Sequence, residues 1–310
     1  MVKIANVRGR QVFDSRGNPT VEAEVHLDNG ISATSISPSG ASTGAFEAYE
    51  LRDGNKNIFL GKSVKKAVDN INLKISLSLK GINPNKQAEI DKVLLDLDGS
   101  ENKKNLGANA ILPVSLAAAK AAAKSNKSPL YKYLGKKYSL PIPLMNIING
   151  GAHADNDLKI QEFMIRPDSA KNFMEAIENC FLVINNLKKL LKSKKMLTNV
   201  GDEGGFAPSI HSNEEALNLI VDAIESSNLK PGKDISICLD VAANELMDKN
   251  GNYSIKSNNF LSVEETINYY KKLTSNFPIK SIEDPFAEED WSAWKKITNE
   301  IGNNVQIVGD

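Results

Sequence analysis

The order of apolar and polar residues predicts strands over 3–14, 20–27 and 31–37. Arg16-Gly17-Asn18-Pro19 joins the first two, and Asp28-Asn29-Gly30 joins the last two. The second turn is a strong hairpin signal, because its residues tolerate positive φ. Helical segments follow over 62–78, 86–96 and 107–125. The last is Ala-rich, with Lys120 and Lys124 at i,i+4 read as a solvated stripe. Three strands followed by helices make a small α+β domain. Pro141 and Pro143, within 138–143, mark its boundary, since paired prolines stiffen a connection and end helices.

Beyond that boundary the pattern changes. Strands are predicted over 144–148 and 160–165, joined by a connection too short for a crossover helix, so the pair should be antiparallel. A helix over 169–192 carries Phe173, Ile177, Cys180, Ile184, Leu187 and Leu191 on one face. Ser212 with Glu215, and Ser262 with Glu265, have capping-box spacing before two more helices. Three β-branched runs then end in carboxylates: 235–240 in Asp240, 279–283 in Glu283 and 305–310 in Asp310, with helical segments between them. Such alternation predicts βαβ units and a parallel sheet. Strands of that kind bring their C-terminal ends to one face, where a (β/α)8 barrel keeps its chemistry. Acidic residues often end strands as helix N-caps, but three together point to a ligand set. Hard oxygen donors without nearby Cys or His favour Mg2+ over zinc.

Two loops add candidate chemistry. Residues 35–44, rich in Ser and Gly and including Ser39, can bring amides and hydroxyls close to an anion or a metal-bound ligand. The connection 193–211 is long for a compact domain, and its glycines suggest a fixed backbone path carrying Glu203.

Composition narrows the picture. The 310 residues suffice for two domains, or for one barrel with an addition. The 38 basic and 38 acidic residues cancel, so nucleic acid is not expected as a whole-chain electrostatic partner. Cys180 and Cys238 lack metal or redox spacing, as in a reduced cytosolic protein. The longest nearly apolar run, 110–119, is too short to span a bilayer, so no membrane insertion is expected. The N-terminus lacks the basic-then-apolar export pattern. A cytoplasmic globular protein is the expectation.

Several stretches are more specific: Phe13-Asp-Ser-Arg16-Gly-Asn-Pro-Thr-Val-Glu22, Pro38-Ser39-Gly40-Ala41-Ser42-Thr43-Gly44 and Leu106-Gly-Ala-Asn109-Ala-Ile-Leu112. Others are Asn149-Gly-Gly-Ala-His153, Gln161-Glu162-Phe-Met-Ile165, Asn199-Val-Gly-Asp-Glu203-Gly-Gly205 and Ser281-Ile-Glu283-Asp-Pro-Phe286. In this order the chain resembles the bacterial-type enolases. The resemblance implies an α/β protein with an N-terminal α+β lid domain, 1–137, and an enolase-type ββαα(βα)6 TIM barrel, 138–310, here incomplete. It implies a homodimer and a carbon–oxygen lyase that reversibly dehydrates 2-phosphoglycerate to phosphoenolpyruvate in glycolysis and gluconeogenesis. Enolase-type sites use a Lys or His base with one or two Mg2+ ions. Two are implied here, one tight and one brought with substrate.

By the same resemblance Asp240, Glu283 and Asp310 hold the tighter metal, and Ser39 reaches the second as the lid closes. Glu203 is the general acid, with Glu162 beside it. Two close carboxylates raise one pKa, which lets an acid persist near neutral pH. His153 and Gln161 take substrate-binding positions with Glu162 and Ser39, His153 helping to hold the phosphate or the closed loop. The resemblance alone would add a cell-surface or secreted pool.

Departures also count. Pro113 stands where the family usually has Gly, tolerable near a helix N-terminus. Lys159 is a surface variation. Enolases run over a hundred residues further, a stretch carrying the lysine base, an Arg-Ser pair for phosphate, a second lysine and the last three strands. Residues 1–310 therefore read as a partial sequence, expected by themselves to bind metal weakly and to lack turnover. Two alternatives stand beside this reading. Another enolase-superfamily dehydratase would carry a Lys-x-Lys-type base where Gln161-Glu162-Phe163 stands. A non-catalytic surface binding protein would need an anchor or a terminal lysine tail that the sequence does not show.

Overall fold

A computed structural model describes residues 1–40, 43–201, 204–256 and 259–310. Two compact units emerge, Met1–Ser139 and Leu140–Asp310.

In the first unit β1 (Ile4–Phe13), β2 (Pro19–Leu27) and β3 (Ser32–Ser37) form an antiparallel meander in that order. Alternate residues of β2, namely Val21, Ala23, Val25 and Leu27, point into the core and are buried. Helices α1 (Lys65–Asp69), α2 (Ser76–Leu79), α3 (Gln87–Asp98), α4 (Ala108–Ser125) and α5 (Leu130–Leu134) follow. The single helix expected over 62–78 is instead α1 and α2 joined by a π-helical stretch, Asn70–Ile75. That stretch is locked to β1. Gly9 N donates to Asn72 Oδ1 at 2.8 Å, Asn72 Nδ2 donates to Gly9 O at 3.1 Å, and Val7 N donates to Ser76 Oγ at 3.1 Å. A Cβ on Gly9 would lie 2.9 Å from Ile71 Cβ, so only glycine allows this approach.

Helix α4 lies on β2 and β3, with Val114, Ala117, Ala118 and Ala121 in the core. Two expectations need correction here. Pro113 is buried at the sixth residue of α4, past the first turn, where its ring removes one i→i−4 bond. Lys120 and Lys124 are not simply solvated: Lys120 Nζ donates to Thr34 O at 3.2 Å, and Lys124 Nζ donates to Ser32 O at 3.0 Å. They occupy free carbonyls of the edge strand β3, which would otherwise invite pairing.

The second unit contains β4 (Met145–Asn149), β5 (Glu162–Arg166), α6 (Phe173–Ser193), α7 (Asn213–Glu225), β6 (Ser236–Asp240), β7 (Tyr253–Lys256), β8 (Asn259–Leu261), α8 (Val263–Asn276), β9 (Ile279–Glu283), α9 (Trp291–Ile301) and β10 (Gln306–Val308). Five strands make one sheet in the order β10-β9-β6-β5-β4, and β7 pairs with β8 separately. The described residues form an open sheet, with no closed barrel among them. β4 and β5 are antiparallel, as the short connection requires, and β6, β9 and β10 are parallel.

Central strand β6 is buried on both faces through Ile237, Cys238 and Leu239. Each fully buried Ile or Leu there contributes about 1.5–3 kcal/mol. Burial pushes the Cys238 thiol up to about 12, so thiolate chemistry is closed to it. On α6 the buried face is Ala176, Cys180, Val183, Leu187 and Leu191, whereas Phe173 is exposed at the first helical residue. Ser262 and Glu265 form the full capping box, while Glu215 reaches back to His211 N rather than to Ser212 N.

Candidate active site

Strand direction gathers the acidic residues. β5 runs antiparallel to β6, so Glu162 at its start faces Asp240 at the end of β6. β9 runs parallel to β6, so Asp240 is also in register with Glu283 at the end of β9. One sheet edge therefore carries Glu162, Asp240 and Glu283 side by side. Asp310 is offset from them: Glu283 pairs with Val308, and Asp310 follows two residues later with its N donating to Asp284 Oδ1 at 3.0 Å.

The electrostatics of this edge are unfavourable for the carboxylates alone. Burial first, then the charges of Asp240, Asp310 and Asp284, push Glu283 up to about 7. Burial likewise raises Asp240, although Gln161 Nε2, donating to its Oδ2 at 3.0 Å, and Ala242 N, donating to its Oδ1 at 3.1 Å, favour the ionised form. Gln161 Oε1 is buried and has no hydrogen-bond partner. The donor set fits a hard divalent cation, which would turn mutual repulsion into shared attraction. No three His, Cys, Asp or Glu side chains among the described residues are already gathered to metal-holding distance.

Between β4 and β5 the chain folds back tightly. Gly150 N donates to Gln161 O at 2.9 Å and Gly151 N to Leu158 O at 2.9 Å. The turn presents His153, whose Nδ1 lies 3.2 Å from Glu162 Oε1 at ion-pair distance, though not in hydrogen-bond alignment. The two side chains are only 6% and 16% exposed, so this contact lies largely out of water. His153, Gln161 and Glu162 thus form one cluster, joined to Asp240 through Gln161.

Glu203 lies outside the described residues, as do Ala41 and Ser42 of the Ser/Gly loop. The described residues on either side of 202–203 are hydrogen-bonded to one another and to β4. Gly201 N donates to Gly205 O at 2.9 Å, Phe206 N to Ile147 O at 2.9 Å and Asn149 Nδ2 to Gly205 O at 2.7 Å. A Cβ on Gly201 would stand 2.5 Å from Asn149 Nδ2, which is why glycine is needed there. In the first unit Ser39 Oγ donates to Glu50 Oε1 at 2.5 Å and accepts from Arg52 Nη2 at 2.8 Å. Its carbonyl accepts from Arg16 Nη2 at 2.9 Å, and the Arg16 turn is itself tied by Asp14 Oδ1.

Asn149 and Asn156 escaped sequence reasoning. Asn149 is fully buried, and Asn156 Nδ2 bridges Asn149 O and Pro208 O, both at 3.0 Å. Their partners lie up to 56 residues away, beyond any local pattern; the one signal was the Asn-Gly-Gly run itself.

Comparison with known proteins gives a consistent result. Residues 4–134 match the family described as the enolase N-terminal domain, and residues 137–310 match the enolase C-terminal TIM barrel domain. The chain is 61% identical over 312 residues to a protein of Pelagibacter ubique (strain HTCC1062) named enolase, covering 100% of this chain and 74% of that protein.

Proposed function

The chain belongs to the enolase family, and from that premise we propose that the full-length enzyme acts on 2-phosphoglycerate, interconverting it with phosphoenolpyruvate and water. In the forward direction a general base, a Lys or His in enolase-type sites, takes the proton from C2, hydroxide leaves C3 as water after protonation, and the C2–C3 double bond forms. Family membership brings with it a metal cofactor, substrate binding and oligomerisation; two Mg2+ ions and a homodimer are our specific reading. No helix among the described residues is long and apolar enough to cross a membrane. We assign the enzyme to the cytoplasm.

Asp240, Glu283 and Asp310 would hold the tighter ion, and Ser39 the second. When bound, such an ion offers Lewis-acid stabilisation to the negative charge that builds on the substrate carboxylate. The protein's own residues do the rest. Gln161, Glu162 and His153 hold and orient substrate. Glu203 donates the proton that lets the C3 hydroxyl depart as water.

The observation carrying this reading is the in-register row Glu162–Asp240–Glu283 across three neighbouring strands. The test supplies 2-phosphoglycerate to the full-length enzyme and follows enol-phosphate ultraviolet absorbance before and after chelation. Absorbance growth that stops with chelator and returns with Mg2+ is expected. Growth undiminished by chelation would sink the metal assignment.

A further inference from the structure

We propose that Asp284 is a positioning residue: it ties the ends of β6, β9 and β10 together and so sets the spacing of Asp240, Glu283 and Asp310. This rests on reading those three as the cation's ligands. The argument begins with an irregularity in the parallel ladder. Asp284 N donates to Val308 O at 3.0 Å, as a residue following Glu283 should. In a regular ladder its carbonyl would next accept from Asp310 N. Instead Asp284 takes φ +44, in the left-handed region, and its carbonyl accepts from Ala243 N at 3.1 Å on the β6 side. The side chain fills the missing place, with Oδ1 accepting from Asp310 N at 3.0 Å.

One residue therefore bonds to both neighbouring strand ends through three groups. Val241 N, donating to Glu283 O at 3.0 Å, completes the tie on the β6 side. Pro285 follows and has no N–H, so the backbone cannot extend the ladder itself. A left-handed conformation at a residue other than Gly costs energy, least for Asn and Asp, and persists where its surroundings demand it. The residue type suits both demands: tolerance of positive φ and a short acceptor.

Three substitutions separate these roles, using Mn2+ alone as the probe and electron paramagnetic resonance to count free ion. Asp284→Asn keeps the acceptor and the φ tolerance but removes the charge. Asp284→Gly relieves the φ but removes the acceptor, and Asp284→Ala loses both. We expect Asp284→Asn to bind within about threefold of wild type and Asp284→Gly to bind about 10–100-fold more weakly, the span typical of groups that orient metal ligands. Asp284→Ala should be no tighter than the glycine variant. Thermal melts check that each variant is folded.

Wild-type affinity in Asp284→Gly, or equal losses in Asp284→Asn and Asp284→Gly, overturns the positioning role. If the glycine variant does not fold, Asp284→Asn decides: near wild-type affinity supports the role, and a tenfold loss overturns it. A wild-type protein without a saturable Mn2+ site is a different failure, that of the ligand assignment itself, and the positioning role falls with it.

Discussion

Two carboxylates, one buried in the first unit and one half-buried in the second, behave in opposite ways. Asp98, at the end of α3, is 3% exposed, and burial works against its charge. Hydrogen bonds outweigh that burial: Ser100 Oγ and Ser100 N donate to Oδ1, and Leu106 N donates to Oδ2 at 2.6 Å. The carboxyl is held below its usual range. Glu283 is half-buried, and after that partial burial the groups acting on it are Asp240, Asp310 and Asp284, so it rises to about 7. A carboxylate surrounded by donors holds a loop in place. One surrounded by other carboxylates is raised in energy by its neighbours, an arrangement that folding alone does not favour and that binding a cation relieves.

The sharpest test of that contrast is Glu283→Gln. Turnover should fall by roughly 10²–10³-fold, as when one electrostatic partner of a developing charge is removed. The melting temperature measured without divalent cation should not fall, because a repelling charge has gone and a similar shape remains. A variant that melts much earlier and keeps its turnover would reverse the roles assigned here.

Asp98→Ala is the mirror experiment, with a smaller effect. It strands the Leu106 amide and the Ser100 groups, and should cost roughly 1.5–3 kcal/mol in urea unfolding, as expected for hydrogen bonds to a buried charge. Activity per folded molecule should be unchanged, since Asp98 ends α3 and its hydrogen bonds go to Ser100, Asn105 and Leu106 of the following loop in the first unit. A loss of activity without a loss of stability would undo the comparison.

The same contrast explains what could be read along the chain. Glu283 and Asp240 stood out because each ends a β-branched run, and the strand pattern alone brought them to one edge. Ser262 with Glu265, and the Asp-Asn-Gly turn before β3, are local devices that a few residues encode, although the same spacing at Ser212 and Glu215 closes only half of the box. Asp284 was invisible although it sits beside Glu283. Its partners include Ala243 and Asp310, 41 and 26 positions away, and its role depends on a left-handed backbone that the sequence does not announce. The two-residue offset of Asp310 was hidden for the same reason. Lys120 and Lys124 looked like a solvated stripe because i,i+4 spacing describes a helix, not the strand edge lying against it. Long-range hydrogen bonds leave no periodic trace.

The last expected effect is the smallest, and concerns pH. The folded-state pKa of Asp98 is lowered, so the carboxyl binds a proton more weakly in the native protein than in the unfolded chain. Its contribution to stability is therefore fully present above the unfolded value, about 3.9, and is lost as pH falls through the folded one. Wild type should show no slope from this group between about pH 7 and pH 5, and a falling limb below about pH 4. Asp98→Asn cannot take up that proton, so its urea-unfolding free energy should fall less steeply in the acid limb and the two curves should converge. Curves that run parallel down to about pH 3 would mean that Asp98 is not the donor-satisfied carboxylate described here, and the contrast with Glu283 would lose one of its two members.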